Sequence, residues 1–273
     1  MKRRLIQLCA ALLYNLNLKG FGEASIYRGK IKGACVPGLN CYSCPGAIGS
    51  CPLGTLQNSL ASMDRKLPFY ILGTLLLFGV MLGRTVCGFL CPFGFIQELL
   101  YKIPGPKLKK NRATRALSNL KYIILVVFVL VLPVVYKIAL GFPVPAFCKY
   151  ICPAGTLEGG IPLVLLDENL GSLAGALFAW KAGVLAVIAA ASVFIYRSFC
   201  RFLCPLGAIY SLFAPVAMLG VKVDEDGCTN CGLCVKTCKM DIKKVGDREC
   251  IQCGECIGKC GPGAIGWKKP IKA

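Results

Sequence analysis

Four short stretches of the chain place cysteine, proline and glycine at the same spacing. Three complete copies supply two cysteines four residues apart, the second followed by proline: Cys87 and Cys91, Cys148 and Cys152, Cys200 and Cys204. A fourth copy, "SCPLGTL", keeps only Cys51. Proline suits the first turn of a helix, so a thiolate just before it is stabilised by free N–H groups and the helix dipole. Two such elements would supply the four thiolates of an iron–sulfur site.

Pairing these elements defines two candidate sites. The inner site consists of Cys87, Cys91, Cys200 and Cys204. The outer site joins Cys148 and Cys152 to two cysteines of "CVPGLNCYSCPGAIGSC"; the favoured pair is Cys44 and Cys51, with Cys35 and Cys41 as substitutes. Zinc at either site, and free thiols or disulfides at the outer site, are the alternatives.

Two further cysteine runs lie near the carboxyl end, "CTNCGLCVKTC" and "CIQCGECIGKC". Their spacing is C-x-x-C-x-x-C-x-x-x-C, from Cys228, Cys231, Cys234, Cys238 and from Cys250, Cys253, Cys256, Cys260. This is the spacing of bacterial two-cluster ferredoxins, in which the fourth cysteine of each run ligates the other cluster. It predicts two [4Fe-4S] clusters here, and the cysteines of the inner and outer sites add one or two more.

Composition narrows the class of protein. The 273 residues are 56% hydrophobic, with a mean hydropathy of +0.64, which indicates an integral membrane protein. Nineteen cysteines without any histidine exclude histidine-dependent metal sites and acid–base catalysis. The net charge of +19 is attributed to basic loops that flank membrane spans, so no nucleic-acid partner is expected.

Four apolar segments, 5–18, 67–83, 119–140 and 173–196, are each followed by one cysteine–proline element. They predict an α-helical integral membrane protein with about four transmembrane helices in two pseudo-symmetric halves. This transmembrane domain covers residues 1–220. A ferredoxin-like α+β domain with two clusters follows at 221–273.

The basic residues predict the orientation. The connection between the second and third segments is rich in lysine and arginine, which indicates the cytoplasmic side. A multi-pass protein of the cell membrane with both termini in the cytoplasm follows, and the inner and outer sites then face opposite sides. The basic residues of the loop 19–66 oppose this orientation.

Cysteine–proline elements followed by a two-cluster ferredoxin resemble the membrane polyferredoxins of the NapH-like family, quinol dehydrogenase subunits. The resemblance covers residues 67–273 and is specific in Cys87, Cys91, Cys200, Cys204 and the eight ferredoxin cysteines. It implies electron transfer between a quinol pool and a redox partner, with the inner cysteines and the ferredoxin domain at the cytoplasmic side. The outer cysteines depart from the family pattern and suggest a further electron station.

The chain shows no catalytic residues for bond-making chemistry and no glycine-rich nucleotide fingerprint. The favoured function is electron transfer across the membrane, as a subunit of an oxidoreductase complex. Expected partners are redox proteins and membrane lipid, with quinone as a candidate. The alternative is an accessory factor that reduces or delivers a metal ion, with copper favoured by soft ligands, to a respiratory enzyme.

Overall fold

A computed structural model describes residues 2–61, 69–108, 110–142 and 144–268. The start of the second predicted apolar segment, 67–68, and the last residues of the predicted ferredoxin domain, 269–273, lie outside this description. The first part of the chain forms a short 3₁₀ helix at Lys30–Gly33 and six α-helices: α1 (Lys2–Tyr14), α2 (Lys19–Gly22), α3 (Pro52–Ala61), α4 (Phe69–Met81), α5 (Thr85–Phe89) and α6 (Pro92–Leu100).

The middle of the chain is also helical. Its α-helices are α7 (Arg112–Leu117), α8 (Leu120–Ile124), α9 (Leu132–Leu140), α10 (Ala146–Tyr150), α11 (Ile161–Leu166), α12 (Glu168–Ser172), α13 (Ala176–Phe194), α14 (Ser198–Phe202) and α15 (Pro205–Phe213). Two π-helices, Leu125–Val131 and Gly155–Gly160, each end two residues before a proline, Pro133 or Pro162. Proline has no N–H to donate, and the wider turns accommodate this loss.

One unit occurs three times. An apolar helix leads into a five-residue helix (α5, α10 or α14) whose third residue is the first cysteine of the pair. The short helix ends because the second cysteine precedes proline, which disfavours helical backbone. Cys91 and Cys204 are accordingly extended, with ψ of 114° and 109°. Each is the N-cap of the next helix, with proline in its first turn, as the sequence predicts.

Within the described residues, two helices are long and apolar enough to cross a membrane: Arg112–Leu140 with 29 residues and Ala176–Phe194 with 19 residues. Helices α1 and α4 have 13 residues each. At 1.5 Å per residue such a helix is about 20 Å long, shorter than a hydrocarbon core of about 30 Å. The prediction of four transmembrane helices is therefore not supported.

The segment from residue 221 to 268, here named the ferredoxin segment, consists mainly of loops. Strands β1 (Val221–Val223) and β2 (Ile265–Trp267) pair antiparallel, with Val221 opposite Trp267. The only other regular elements in this described segment are α16 (Leu233–Thr237) and the 3₁₀ helix Ile257–Lys259. Both cysteine runs lie between the two strands, so one small sheet closes the ends of the ferredoxin segment.

Acidic residues of the ferredoxin segment bind buried cations of the helices. The Glu249 carboxylate lies 3.2 Å from the Arg84 guanidinium and 2.6 Å from the Lys121 ammonium, and both cations are fully buried. Burial opposes ionisation of Glu249, but Arg84 and Lys121 outweigh it and hold the pKa of this carboxyl below its ordinary value. The ionised Glu249 carboxylate therefore contributes fully to stability at pH values above the ordinary pKa of glutamate. This contribution is lost as the pH falls through the lowered pKa of the folded state.

A second acidic residue, Asp241, makes a similar contact. Its carboxylate lies 2.9 Å from Arg115 and 2.7 Å from the buried Arg201. Some basic residues of the connection predicted to be cytoplasmic thus hold the ferredoxin segment against the helices. The number of basic residues there therefore reflects these ion pairs as well as the orientation in the membrane.

Candidate iron–sulfur sites

The ferredoxin segment contains a cavity of about 180 Å³ lined by cysteines from both runs: Cys238, Cys250, Cys253 and Cys256. Burial raises the pKa of Cys238 to about 12, and the charges of Cys253 and Cys250 contribute. The fourth cysteine of the first run thus lies with the first three of the second run, which is the crossed arrangement of two-cluster ferredoxins. Among the eight cysteines of the two runs, Cys250 is buried, Cys231 is exposed and the other six are partly exposed.

The inner-site cysteines come together around Cys204. Burial raises the pKa of the Cys204 thiol well above its ordinary value, and the charges of Cys200, Cys87 and Cys91 raise it further. The Gly207 N–H, in the first turn of α15, donates a hydrogen bond of 3.3 Å to Cys204 Sγ. Four buried thiols from two distant elements thus share one environment.

Arg84 provides an independent test of whether a cluster fits the inner site. Its side chain is fully buried, and its Nε and Nη2 have no hydrogen-bond partner among the described residues. The charges of Cys87 and Cys200 both act on this guanidinium. A negatively charged iron–sulfur cluster would supply acceptors there, so the residues fit such a group.

The outer-site cysteines come together around Cys152. Burial raises the pKa of the Cys152 thiol well above its ordinary value, and the charges of Cys148, Cys41 and Cys51 raise it further. The structure therefore groups Cys41, predicted only as a substitute, with the set. A Cβ added at Gly155 would lie 3.8 Å from Cys41 Sγ and 3.7 Å from Cys152 Sγ, so glycine leaves room beside these sulfurs.

The two other cysteines of this loop point elsewhere. Cys44, one of the favoured pair, directs its Sγ to Asn15 Oδ1 at 3.5 Å. Cys35 Sγ lies 3.9 Å from Thr55 Oγ1. All nineteen cysteines lie in the described residues, and none of them forms a disulfide. Over the described ranges, no group of three or more His, Cys, Asp or Glu side chains is placed to hold a single metal ion.

Sequence reasoning missed two glutamines that touch these sites. Gln57 Nε2 donates to Cys148 Sγ at 3.3 Å, and Gln97 Nε2 donates to Cys200 Sγ at 3.1 Å. A signal was available, because each glutamine stands six residues after a cysteine that precedes proline, Cys51 or Cys91.

The inner and outer sites share one continuous core. Burial raises the pKa of Tyr210, and the charges of Cys87, Cys51 and Cys91 all contribute, so this one side chain is close to both sites. Its hydroxyl donates to the Pro37 carbonyl at 2.8 Å, in the cysteine-rich loop. Tyr210 thus links the elements of the inner and outer sites, and the placement of these sites on opposite sides of a membrane stays a prediction.

The ferredoxin cavity lies against the inner site. Gly88, next to Cys87, packs so closely on Ile251, next to Cys250, that an added Cβ would collide with the Ile251 carbonyl oxygen. Tyr196, which precedes the last cysteine–proline element, lines the ferredoxin cavity. Its hydroxyl donates to Glu98 of α6 at 2.7 Å. The ferredoxin cavity, the inner site and the outer site therefore follow one another through the protein.

Comparison with known proteins accounts for the repeated unit. A family model described as a 4Fe-4S binding domain matches residues 67–111, 120–161 and 176–221, and each matched segment contains one complete cysteine pair. MJ0750 of Methanocaldococcus jannaschii is 31% identical over 192 residues, which cover 69% of this chain and 70% of that protein. The chain belongs to this 4Fe-4S binding family.

Two further relatives of the family have informative names. YccM of Escherichia coli K12, named provisionally as an electron transport protein, is 25% identical over 72% of this chain and 55% of its own length. MauN of Paracoccus denitrificans, a methylamine utilization ferredoxin-type protein, is 25% identical over 71% of this chain and 62% of its own length. The match thus spans less than two thirds of either relative. No solved structure matches the chain.

Proposed function

We propose that the chain is an iron–sulfur electron-transfer protein of the membrane with four [4Fe-4S] sites. The first ferredoxin site uses Cys228, Cys231, Cys234 and Cys260. The second uses the cavity cysteines Cys238, Cys250, Cys253 and Cys256. The inner site uses Cys87, Cys91, Cys200 and Cys204, and the outer site uses Cys41, Cys51, Cys148 and Cys152. When bound, such clusters accept and release single electrons; the chain supplies thiolates and holds the sites in sequence.

The contact between Gly88 and Ile251 carries this proposal. It brings backbone beside an inner-site cysteine against backbone beside a ferredoxin cysteine, with no side chain between them. The ion pairs of Glu249 and Asp241 fix the same interface. A separate ferredoxin domain on a loose tether would need neither feature.

Replacing Gly88 with Val is expected to slow electron transfer between the ferredoxin segment and the inner site, because the added side chain must push Ile251 away. The clusters themselves should remain. The measurement is rapid-mixing spectroscopy of the anaerobic protein after reduction by a small excess of reduced soluble ferredoxin.

Gly73→Val is the matched control, because a Cβ at Gly73 in α4 meets nothing within 4 Å. It should reduce at the wild-type rate. Wild-type kinetics in Gly88→Val, with the full iron content retained, would contradict transfer through this contact.

The names of the relatives support the redox assignment, since one describes electron transport and one a ferredoxin-type protein. We therefore propose redox proteins as partners, quinone as a candidate partner, and a role as a subunit of an oxidoreductase complex. The narrower resemblance to NapH-like polyferredoxins belongs to this proposal as well.

We further propose that the protein lies in the cell membrane, with both termini in the cytoplasm. Exposed apolar side chains on the two long helices support the membrane location, among them Ile138 at 81% and Val187 at 69% exposure. Such surfaces are covered by lipid in membrane proteins. The protein should stay in the membrane pellet after an alkaline wash, and its release would contradict the location.

A second candidate function, reduction or delivery of a metal ion to a respiratory enzyme, is favoured by the free thiols of Cys35 and Cys44. They lie in the same loop as the outer-site cysteines but outside the proposed ligand set. Stoichiometric copper in the purified protein, lost in the double variant Cys35→Ala/Cys44→Ala, would support this function. Copper-free protein with full electron transfer would rule it out.

A further inference from the structure

Gln57 and Gln97 make the same set of contacts at the outer and the inner site, respectively. The Gln97 side-chain oxygen accepts from the Phe199 N–H at 3.0 Å, and its Nε2 donates to Cys200 Sγ at 3.1 Å. The Gln57 side-chain oxygen accepts from the Phe147 N–H at 2.9 Å, and its Nε2 donates to Cys148 Sγ at 3.3 Å. Both glutamines are fully buried.

The second amide hydrogen of each glutamine is also used. Gln97 Nε2 lies 3.3 Å from the Phe93 carbonyl, and Gln57 Nε2 lies 3.2 Å from the Leu53 carbonyl, one turn earlier in the same helix. The amide is thereby fixed between its own helix and the backbone that precedes the cysteine. The positions of the amide oxygen and nitrogen are fixed by these contacts, because only the oxygen can accept from the Phe199 or Phe147 N–H.

The other two elements carry different residues at this position, six after the cysteine. Glu158 accepts from the Cys41 N–H at 2.7 Å, and Tyr210 donates to the Pro37 carbonyl. Neither contact reaches a sulfur. The inner and the outer site therefore each have one glutamine, from the first half of the chain, that donates to the sulfur of a cysteine in the second half.

We propose that Gln97 and Gln57 are positioning residues that raise the reduction potentials of the inner and outer clusters, respectively, through a hydrogen bond to one ligand sulfur. This inference rests on the proposed function, which places clusters at both sites. Reduction adds negative charge to a cluster and its thiolates, so a donor at sulfur stabilises the reduced form more than the oxidised form.

The test is a redox titration, followed by electron paramagnetic resonance, of the anaerobically purified full-length protein. Gln97→Met keeps the length of the side chain but removes the donor. It should shift one cluster signal to a more negative potential, namely the signal that Cys200→Ala removes. Gln57→Met should shift a different signal, the one that Cys148→Ala removes. The ferredoxin signals should stay in place in both variants, so each glutamine is the control for the other.

Unchanged potentials in both variants, or a shift of the same signal by both, would overturn the inference. Should Gln97→Met lose its cluster, Gln97→Leu replaces it, because leucine is neutral and removes the donor without adding a charge beside the cluster. A bound cluster at lowered potential in Gln97→Leu then supports the inference, whereas an unchanged potential, or loss of the cluster again, overturns it in favour of a purely structural role. Wild-type protein without signals that depend on Cys148 or Cys200 would overturn the proposed function itself.

Discussion

Replacing Cys204 with Ala is expected to remove one complete cluster, about four irons per chain, while the ferredoxin signals survive. Cys204 is buried, and the charges of Cys200, Cys87 and Cys91 all act on it. Cys91→Ala, more than a hundred residues away in the chain, should remove the same signal. The double variant should lose no more than either single variant, because residues that serve one unit are non-additive.

Cys9→Ala is the control for this experiment. Cys9 is exposed on α1 and belongs to none of the proposed sets, so its replacement should leave every signal intact. The measurement is iron content together with low-temperature paramagnetic resonance of the reduced protein. Two different signals lost in the two single variants would show that Cys91 and Cys204 serve different centres, and the shared inner site would be abandoned.

Replacing Cys41 with Ala should remove the outer cluster, again about four irons per chain, whereas Cys44→Ala should keep it. The charges of Cys41 and Cys51 both act on the Cys148 and Cys152 thiols, and Cys51 and Cys44 act on the Cys41 thiol. Cys44 instead hydrogen-bonds Asn15. The two cysteines are three residues apart in one loop, so each is a matched control for the other.

Iron and sulfide analysis of both variants shows whether Cys41 or Cys44 is a ligand of the outer cluster. Loss in Cys44→Ala with retention in Cys41→Ala would restore the pairing that the sequence favoured. Retention in both would mean that no cysteine of this pair is required, and the outer set would need a different fourth member.

Local rules allowed part of this architecture to be predicted. The proline after each second cysteine fixes where one helix ends and the next begins, because it acts on its immediate neighbours. Cys91 and Cys204 are therefore N-caps, as expected. The spacing of the ferredoxin runs is informative for the same reason, since the ligands of one run lie on a single short loop.

The choice between Cys41 and Cys44 could not be made from the sequence. The loop that carries them has no hydrophobic period, and its path is set by distant contacts, such as that of Cys44 with Asn15 and that of Cys41 with Glu158. Four spanning helices are not supported in the described residues, because hydropathy identifies apolar segments but not where turns divide them. The contact of Tyr210 with the Pro37 carbonyl has a similar origin, because it joins two elements distant in the chain only in the folded molecule.

The central claim, four clusters in one chain, is tested most directly by quantifying iron and acid-labile sulfide in the intact protein purified without oxygen. Four clusters correspond to about sixteen irons and about sixteen sulfides per chain, four of each at every site. A content of about eight of each, unchanged when Cys204 or Cys152 is replaced, would show that only the ferredoxin segment binds clusters and would contradict the claim.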